Sequence, residues 1–143
     1  MRKIFCCCAI LFAAFALVAC GNQTAPNTLT QVSVAGGSYT NVAPAQMKQM
    51  LAAKDFVLIN AHIPYAGEIE KTDAFIPYDT VEQNIVQFPA DKKAKIFLYC
   101  SSGRMSALSA ETLVKLGYTN VWNLDGGMGA WESAGLPLMR TAK

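Results

Sequence analysis

Cys100 is the residue of this sequence with the clearest capacity for chemistry, and two serines, a glycine and an arginine follow it directly. Small residues ending in glycine, placed where a helix starts, can turn several backbone N–H groups toward one point. The positive end of the helix dipole adds to the attraction for an anion there. Because cysteines at helix N-termini are typically nucleophilic, the pattern predicts a reactive thiol in a loop of backbone donors.

The residues that could do chemistry also have simpler, structural interpretations. Cys100 could be a buried structural cysteine at a strand end, and Arg104 could be a solvated helix residue. His62 is the single histidine of the chain, and its side chain type titrates near neutral pH. It is predicted either at the rim of the pocket around the thiol or as a structural or solvated residue. The spacing of Glu68 and Glu70 indicates no metal site, and no cofactor is predicted.

The elements that must position Cys100 alternate between helical and extended patterns. Pro44 suits the first turn of a helix, and continuous apolar runs of four residues predict strands buried on both faces. The predicted elements are a helix from Pro44 to about Lys54, a strand at Phe56–Ile59, a short helix near Val81–Phe88, a strand at Ile96–Tyr99, a helix from Arg104 to Leu116 and a strand at Asn120–Asn123.

This order of elements predicts an α/β fold, with a central, mostly parallel sheet and helices on both faces. The length of 143 residues predicts a single domain. Sites in such sheets form at the carboxyl ends of the strands. Because Cys100 directly follows a predicted strand and precedes a predicted helix, we expect it at that edge of the sheet.

The N-terminal residues have the features of an export signal. The basic segment Met1–Lys3 precedes the apolar run Ile4–Ala19, which is shorter than the roughly 20 residues that span a bilayer. The segment Leu17–Gly21 resembles a bacterial lipobox, which implies cleavage before Cys20 and attachment of lipid to that residue. The alternatives are an ordinary signal peptide with an incidental cysteine and an uncleaved anchor.

Cleavage before Cys20 would change the inventory of the chain. Three of the five cysteines would leave with the signal and Cys20 would carry lipid, so Cys100 would be the only free thiol. Loss of Arg2 and Lys3 would cancel the formal net charge of +2. No clustered basic face of the kind that binds nucleic acid is evident.

The predicted domain organisation has three parts. Residues 1–19 form a lipoprotein signal peptide, residues 20–38 a lipidated flexible tether rich in small and polar residues, and residues 39–140 the folded domain. Within the tether, Gln31–Val34 alternates and could form a short strand. We expect an exported, membrane-anchored lipoprotein that faces the periplasm, and the sequence does not predict its oligomeric state.

Three segments carry a resemblance to a known family. Cys100–Ser106 resembles the rhodanese active-site loop, in which Cys is followed by two residues, Gly, one residue, Arg and Ser. Leu124–Trp131 is similar to the family's Leu-x-Gly-Gly-x-x-x-Trp, and Ala134–Pro137 to its closing Ala-Gly-Leu-Pro. The resemblance extends over roughly Tyr39 to Arg140 and implies a single rhodanese-like domain.

The resemblance implies a sulfurtransferase. The Cys100 thiolate would take a sulfane sulfur from thiosulfate, a polysulfide or a persulfide, hold it as a persulfide, and pass it to a thiol or cyanide. The residues that the resemblance assigns to substrate binding are those of the loop, Ser101, Ser102, Gly103, Arg104, Met105 and Ser106.

Two departures from the family pattern shift or replace charged residues, and in a third the loop Pro64–Asp79 lacks the family's usual Glu-rich turn and the Gly-His before Ile-Pro. Arg104 stands one position earlier than the usual arginine, whose place Met105 occupies. The family's Asp-Val-Arg after the second strand is Asn60–His62 in this chain.

Two other functions stay open, the first because of these departures and the second because related loops serve phosphoryl transfer. One is a non-catalytic rhodanese-like binding module at the membrane surface, with Cys100 incidental. The other is a cysteine-dependent phosphatase, whose loop needs Cys, five residues and then Arg to grip the phosphate. Ser106 stands where that arginine would be.

Overall fold

The computed structural model describes residues 29–140 of the chain, as six strands and three α-helices. The α/β class predicted from the sequence is confirmed. In chain order the elements are β1 (Leu29–Val34), β2 (Gly37–Val42), α1 (Pro44–Ala52), β3 (Val57–Asn60), β4 (Ala74–Phe75), β5 (Ile96–Tyr99), α2 (Arg104–Lys115), β6 (Val121–Leu124) and α3 (Gly127–Ser133).

All six strands form one sheet in the order β1-β2-β6-β5-β3-β4. The pair β1–β2 is antiparallel and the four other pairs are parallel. The predicted mostly parallel sheet is therefore confirmed. The parallel arrangement brings the carboxyl ends of β3, β5 and β6 to one edge, which is where ligands bind in open α/β sheets.

Strand β5 lies at the centre of the sheet and separates two apolar cores. Ile96 and Leu98 face the core under α2, whereas Phe97 and Tyr99 face the core under α1 and α3. Each fully buried apolar side chain contributes about 1.5–3 kcal/mol relative to exposure. The strand that ends at Cys100 is thus held from both faces, and the prediction of helices on both faces is confirmed.

The segment Val81–Phe88 is not the short helix that the sequence predicts. It lies among two 3-10 turns, Tyr78–Thr80 and Ile85–Gln87, and neither turn has a side-chain cap. Val81 and Phe88 are buried in the core under α2. A segment this short gains little from helix formation, so the burial of its two ends determines its path.

The folded region begins earlier than predicted. Leu29–Val34 lies within the segment 20–38 predicted as a tether, yet it pairs with β2 along its whole length. Val32 and Val34 pack against the core under α2, which explains why this segment is ordered as a strand, and the expectation of a strand at Gln31–Val34 is confirmed. The predicted signal and Cys20 lie outside the described residues.

Within residues 29–140, no helix combines the length and apolar character that a bilayer crossing requires.

Candidate active site

Cys100 lies where β5 passes into the loop that leads to α2. The residue is only 1% exposed, and its Sγ accepts a hydrogen bond of 3.1 Å from the backbone N–H of Gly103. Gly103 precedes the first residue of α2 and has φ 85°, a left-handed conformation that glycine adopts without steric cost. A negative charge on this sulfur would therefore meet a backbone donor and the positive end of a helix.

The first turn of α3 fixes the backbone of this loop. The N–H of Met128 donates to the carbonyl oxygen of Cys100 at 2.8 Å, and the N–H of Gly129 donates to that of Ser101 at 2.9 Å. Two helices from different parts of the chain therefore hold the loop, α2 continuing from it and α3 bonded to its carbonyl groups.

Gly127 is the point of closest approach between the loop and α3. A Cβ atom on this residue would lie 2.3 Å from the carbonyl oxygen of Cys100 and 2.7 Å from the nitrogen of Gly103. Only glycine fits at this position. Sequence reasoning assigned Gly127 no role in the site, although two adjacent glycines shortly after a strand are a signal for such close packing.

The loop residues predicted to bind substrate lie together but differ in exposure. Ser101, Ser102 and Arg104 are exposed beside the buried thiol, and Met105 is half-buried. Arg104 forms no ion pair with any of residues 29–140. Its guanidinium group is therefore open to an anionic ligand.

Ser106 differs from its neighbours because it is completely buried. Its hydroxyl donates to the carbonyl oxygen of Gly103 at 3.2 Å. This hydrogen bond stabilises the turn at the start of α2, so Ser106 supports the loop from the interior of the domain.

Asn60 and His62 follow β3, the strand next to the cysteine loop. Asn60 pairs with Tyr99 in the sheet, and the N–H of Ala61 donates to the carbonyl oxygen of Tyr99 at 2.8 Å. The fully buried Asn60 amide donates to the carbonyl oxygen of Gly67 at 2.9 Å and accepts from the N–H of His62 at 3.0 Å. This amide thus secures the segment 60–67 with both of its polar atoms.

The imidazole of His62 has an unusual environment. Its Nδ1 is buried and has no hydrogen-bond partner within the described part of the chain. Burial lowers the pKa of His62 below its ordinary value of 6.5, because the charged form loses hydration. The sheet register puts its backbone beside the loop that follows β5, and a place at the rim remains a prediction.

Tyr99 anchors a neighbouring segment to the centre of the sheet. Its hydroxyl accepts from the N–H of Ile69 at 3.1 Å and lies 2.8 Å from the hydroxyl of Thr72. Burial raises the pKa of Tyr99 to about 12, so the phenol stays neutral. Tyr99 therefore holds the segment 69–72 in place. The sequence did not reveal this role.

A cavity of about 170 Å³ opens elsewhere on the molecule, between the turns after β4 and the outer part of α2. None of the loop residues lines it. Its lining residues are Tyr78, Asp79, Val81, Glu82, Gln83 and Thr112.

Comparisons with known proteins agree with this geometry. Residues 44–134 match the family described as the Rhodanese-like domain. The chain is 31% identical over 100 residues to the thiosulfate sulfurtransferase GlpE of Vibrio cholerae, over 68% of this chain and 89% of that protein. It is also 31% identical over 113 residues to an uncharacterised Synechocystis protein, over 76% of this chain but only 62% of that protein.

The fold also resembles that of a solved structure. A rhodanese-related protein from Thermoplasma volcanium superposes with a TM-score of 0.60 at 22% identity, over 69% of this chain and 96% of that one. This chain belongs to the rhodanese-like family, as the resemblance of its three segments implied. The family and the named relatives assign it to the sulfurtransferases as a class.

Proposed function

We propose that this protein transfers sulfane sulfur through a persulfide on Cys100. The observation that carries the proposal is the contact of 3.1 Å between the Sγ of Cys100 and the N–H of Gly103, at the start of α2. A persulfide formed here would carry its negative charge close to the Gly103 N–H and the helix N-terminus. The chemistry needs no group beyond the thiol and its two substrates.

The reaction consists of two nucleophilic displacements at sulfur. The Cys100 thiolate attacks the outer sulfur of thiosulfate, a polysulfide or a persulfide. The sulfur–sulfur bond of the donor breaks, its electron pair leaves with sulfite, with the shortened polysulfide or with a thiolate, and the outer sulfur stays on Cys100. A thiol or cyanide then attacks that sulfur, and Cys100 departs as a thiolate.

Two side chains around the loop are assigned supporting roles. The exposed Arg104 attracts an anionic donor, since its guanidinium group has no ion-pair partner among the described residues. His62 lines the approach in its neutral form, because burial disfavours its charged form.

We also propose that the protein is exported and held on a membrane by lipid on Cys20, facing the periplasm. The support is the lipobox-like segment Leu17–Gly21 at the end of the apolar run Ile4–Ala19. Each buried methylene of an acyl chain adds about 0.8 kcal/mol, and more than one chain gives durable attachment.

Intact mass measurement tests the catalytic proposal. The mature protein, treated with thiosulfate or a polysulfide, should gain one sulfur atom on Cys100, and a thiol acceptor should remove it. The Cys100→Ser variant is the matched control and should gain none. If the thiol reacts with a small alkylating reagent yet takes sulfur from no donor, the proposal fails and a non-catalytic binding module is favoured.

A further inference from the structure

The first described residue of the chain, Leu29, lies at the edge of the sheet where the parallel strands end. Because β1 is antiparallel to β2, its first residue, Leu29, pairs with Val42 at the end of β2. Val42 in turn pairs with Leu124, the last residue of β6. The polypeptide that precedes Leu29 therefore approaches the domain at the carboxyl ends of the parallel strands.

The same edge carries the cysteine loop. The N–H of Asp125, directly after β6, donates to the carbonyl oxygen of Val42 at 3.0 Å. Two residues further, Gly127 lies against the carbonyl oxygen of Cys100. Since β1 is three strand positions from β5, Leu29 lies about 15 Å across the sheet from the strand that ends at Cys100.

The lipobox-like segment lies close to this edge in sequence. Eight residues separate Cys20 from Leu29, and an extended chain spans at most about 3.5 Å per residue. The α-carbon of Leu29 is therefore within about 30 Å of Cys20. A folded domain of this size has a radius of gyration of about 13 Å, so the linking segment is at most about as long as the domain is wide.

We infer that the edge of the sheet that carries Cys100 faces the lipid bilayer, so that sulfur reaches and leaves the thiol at the membrane surface. This inference rests on the lipid anchor of the proposed function. The connecting segment restrains the Leu29 edge directly, whereas the opposite edge can contact the bilayer only if that segment passes along the side of the domain. Leu29 itself is apolar and 50% exposed, which is compatible with the headgroup region.

The opposite edge offers the competing orientation. Lys92 and Lys93 precede β5 there and attract anionic headgroups. The experiment must therefore compare the two edges on one bilayer. Positions 119 and 125 flank β6, both are exposed, and six steps along the chain at about 3.3 Å each separate them by about 20 Å.

Depth-dependent quenching distinguishes the two edges. Asp125→Cys and Thr119→Cys, each combined with Cys100→Ser, give lipidated proteins with one reactive thiol, because lipid occupies the sulfur of Cys20. Each is labelled with a fluorophore and bound to phosphatidylethanolamine–phosphatidylglycerol vesicles with a headgroup-linked nitroxide quencher. We expect quenching at position 125 to exceed that at position 119 by at least about twofold, given their separation. Equal or reversed quenching overturns the inference.

Two controls separate the orientation from the anchor. Intact mass and flotation with the vesicles report lipid attachment on their own, so a chain without lipid refutes the anchor and not the geometry. An insertion of about twenty Gly and Ser residues after Asn27 loosens the restraint and should abolish the difference in quenching. A difference that survives this insertion overturns the assignment of the orientation to the short linking segment.

Discussion

Gly127 packs against the backbone of Cys100, although the two residues lie far apart in sequence. The carbonyl oxygen of Cys100 occupies the space that a Cβ on Gly127 would need, at 2.3 Å. The position of the thiol therefore depends on a residue that has no side chain. At this scale, the smallest possible substitution has a large expected effect.

We expect Gly127→Ala to displace the cysteine loop, to lower the free energy of unfolding by about 3 kcal/mol and to abolish persulfide formation. Gly135→Ala is the matched control, because Gly135 also has a positive φ, 74°, but nothing lies within 4 Å of its Cβ position. The control should lose only about 1–2 kcal/mol through backbone strain and should still form the persulfide. Chemical denaturation and intact mass measure both quantities.

His62 is expected to make stability depend on pH. Its folded-state pKa is lowered below 6.5 by burial, so the unfolded chain takes up the proton first as the pH falls. The free energy of unfolding should therefore decrease as the pH drops from about 6.5 through the lower folded-state pKa. Urea titrations of the native protein and His62→Gln test this, since the variant should lack that part of the slope. A native His62 that titrates at or above 6.5 by NMR contradicts it.

At the scale of elements, Cys100 directly follows β5. Tyr99, the last residue of β5, links this strand to the segment 69–72. We expect Tyr99→Phe to lower the free energy of unfolding by about 1–3 kcal/mol, because the buried N–H of Ile69 loses its acceptor. Tyr118→Phe removes one hydrogen bond, to the carbonyl oxygen of Pro89, and should cost less. Denaturation curves that rank the two variants in the opposite order would show that Tyr99 does not anchor this segment.

The elements that the sequence predicted well are those whose patterns are local. Ile96–Tyr99 is an unbroken apolar run, and the helix after Arg104 ends just before Gly117, so β5 and α2 were found almost to the residue. β1 was only partly found, since its order depends on pairing with β2. The prediction of a short helix near Val81–Phe88 was wrong, because the burial of these two residues in the core determines the path of the segment.

The same distinction applies to the candidate site. The loop Cys100–Ser106 is contiguous, so its place between a strand and a helix could be read from the sequence. The contact with Gly127 and the hydrogen bonds from α3 join segments that the sequence does not connect. The sequence also did not reveal that both polar atoms of the Asn60 side chain would be satisfied within the segment 60–67.

At the scale of the whole molecule, the proposed anchor and the edge that carries Cys100 together predict a preference among acceptors. We expect the lipidated protein to transfer sulfur at least about tenfold faster to a thiol on a lipid headgroup in the same vesicle than to that thiol free in solution at equal total concentration. The gain arises from confinement of both reactants to one surface. Loss of persulfide mass from Cys100 measures the rate.

The protein produced without residues 1–20 provides the control for this preference, because it carries neither the apolar run nor the lipidated residue. Without lipid the protein stays in solution, and the two thiols should then react at similar rates. A lipidated protein that shows no preference would contradict the expectation, even if it forms the persulfide normally.

The hydrogen bonds that Met128 and Gly129 donate to the cysteine loop have a consequence for inactivation by heat. Because α3 and α2 both hold the loop, it has little freedom to melt ahead of the domain. Persulfide formation and helical circular dichroism should therefore be lost at one temperature, in a single cooperative transition. The amount of persulfide formed would then report the fraction of the protein that is folded.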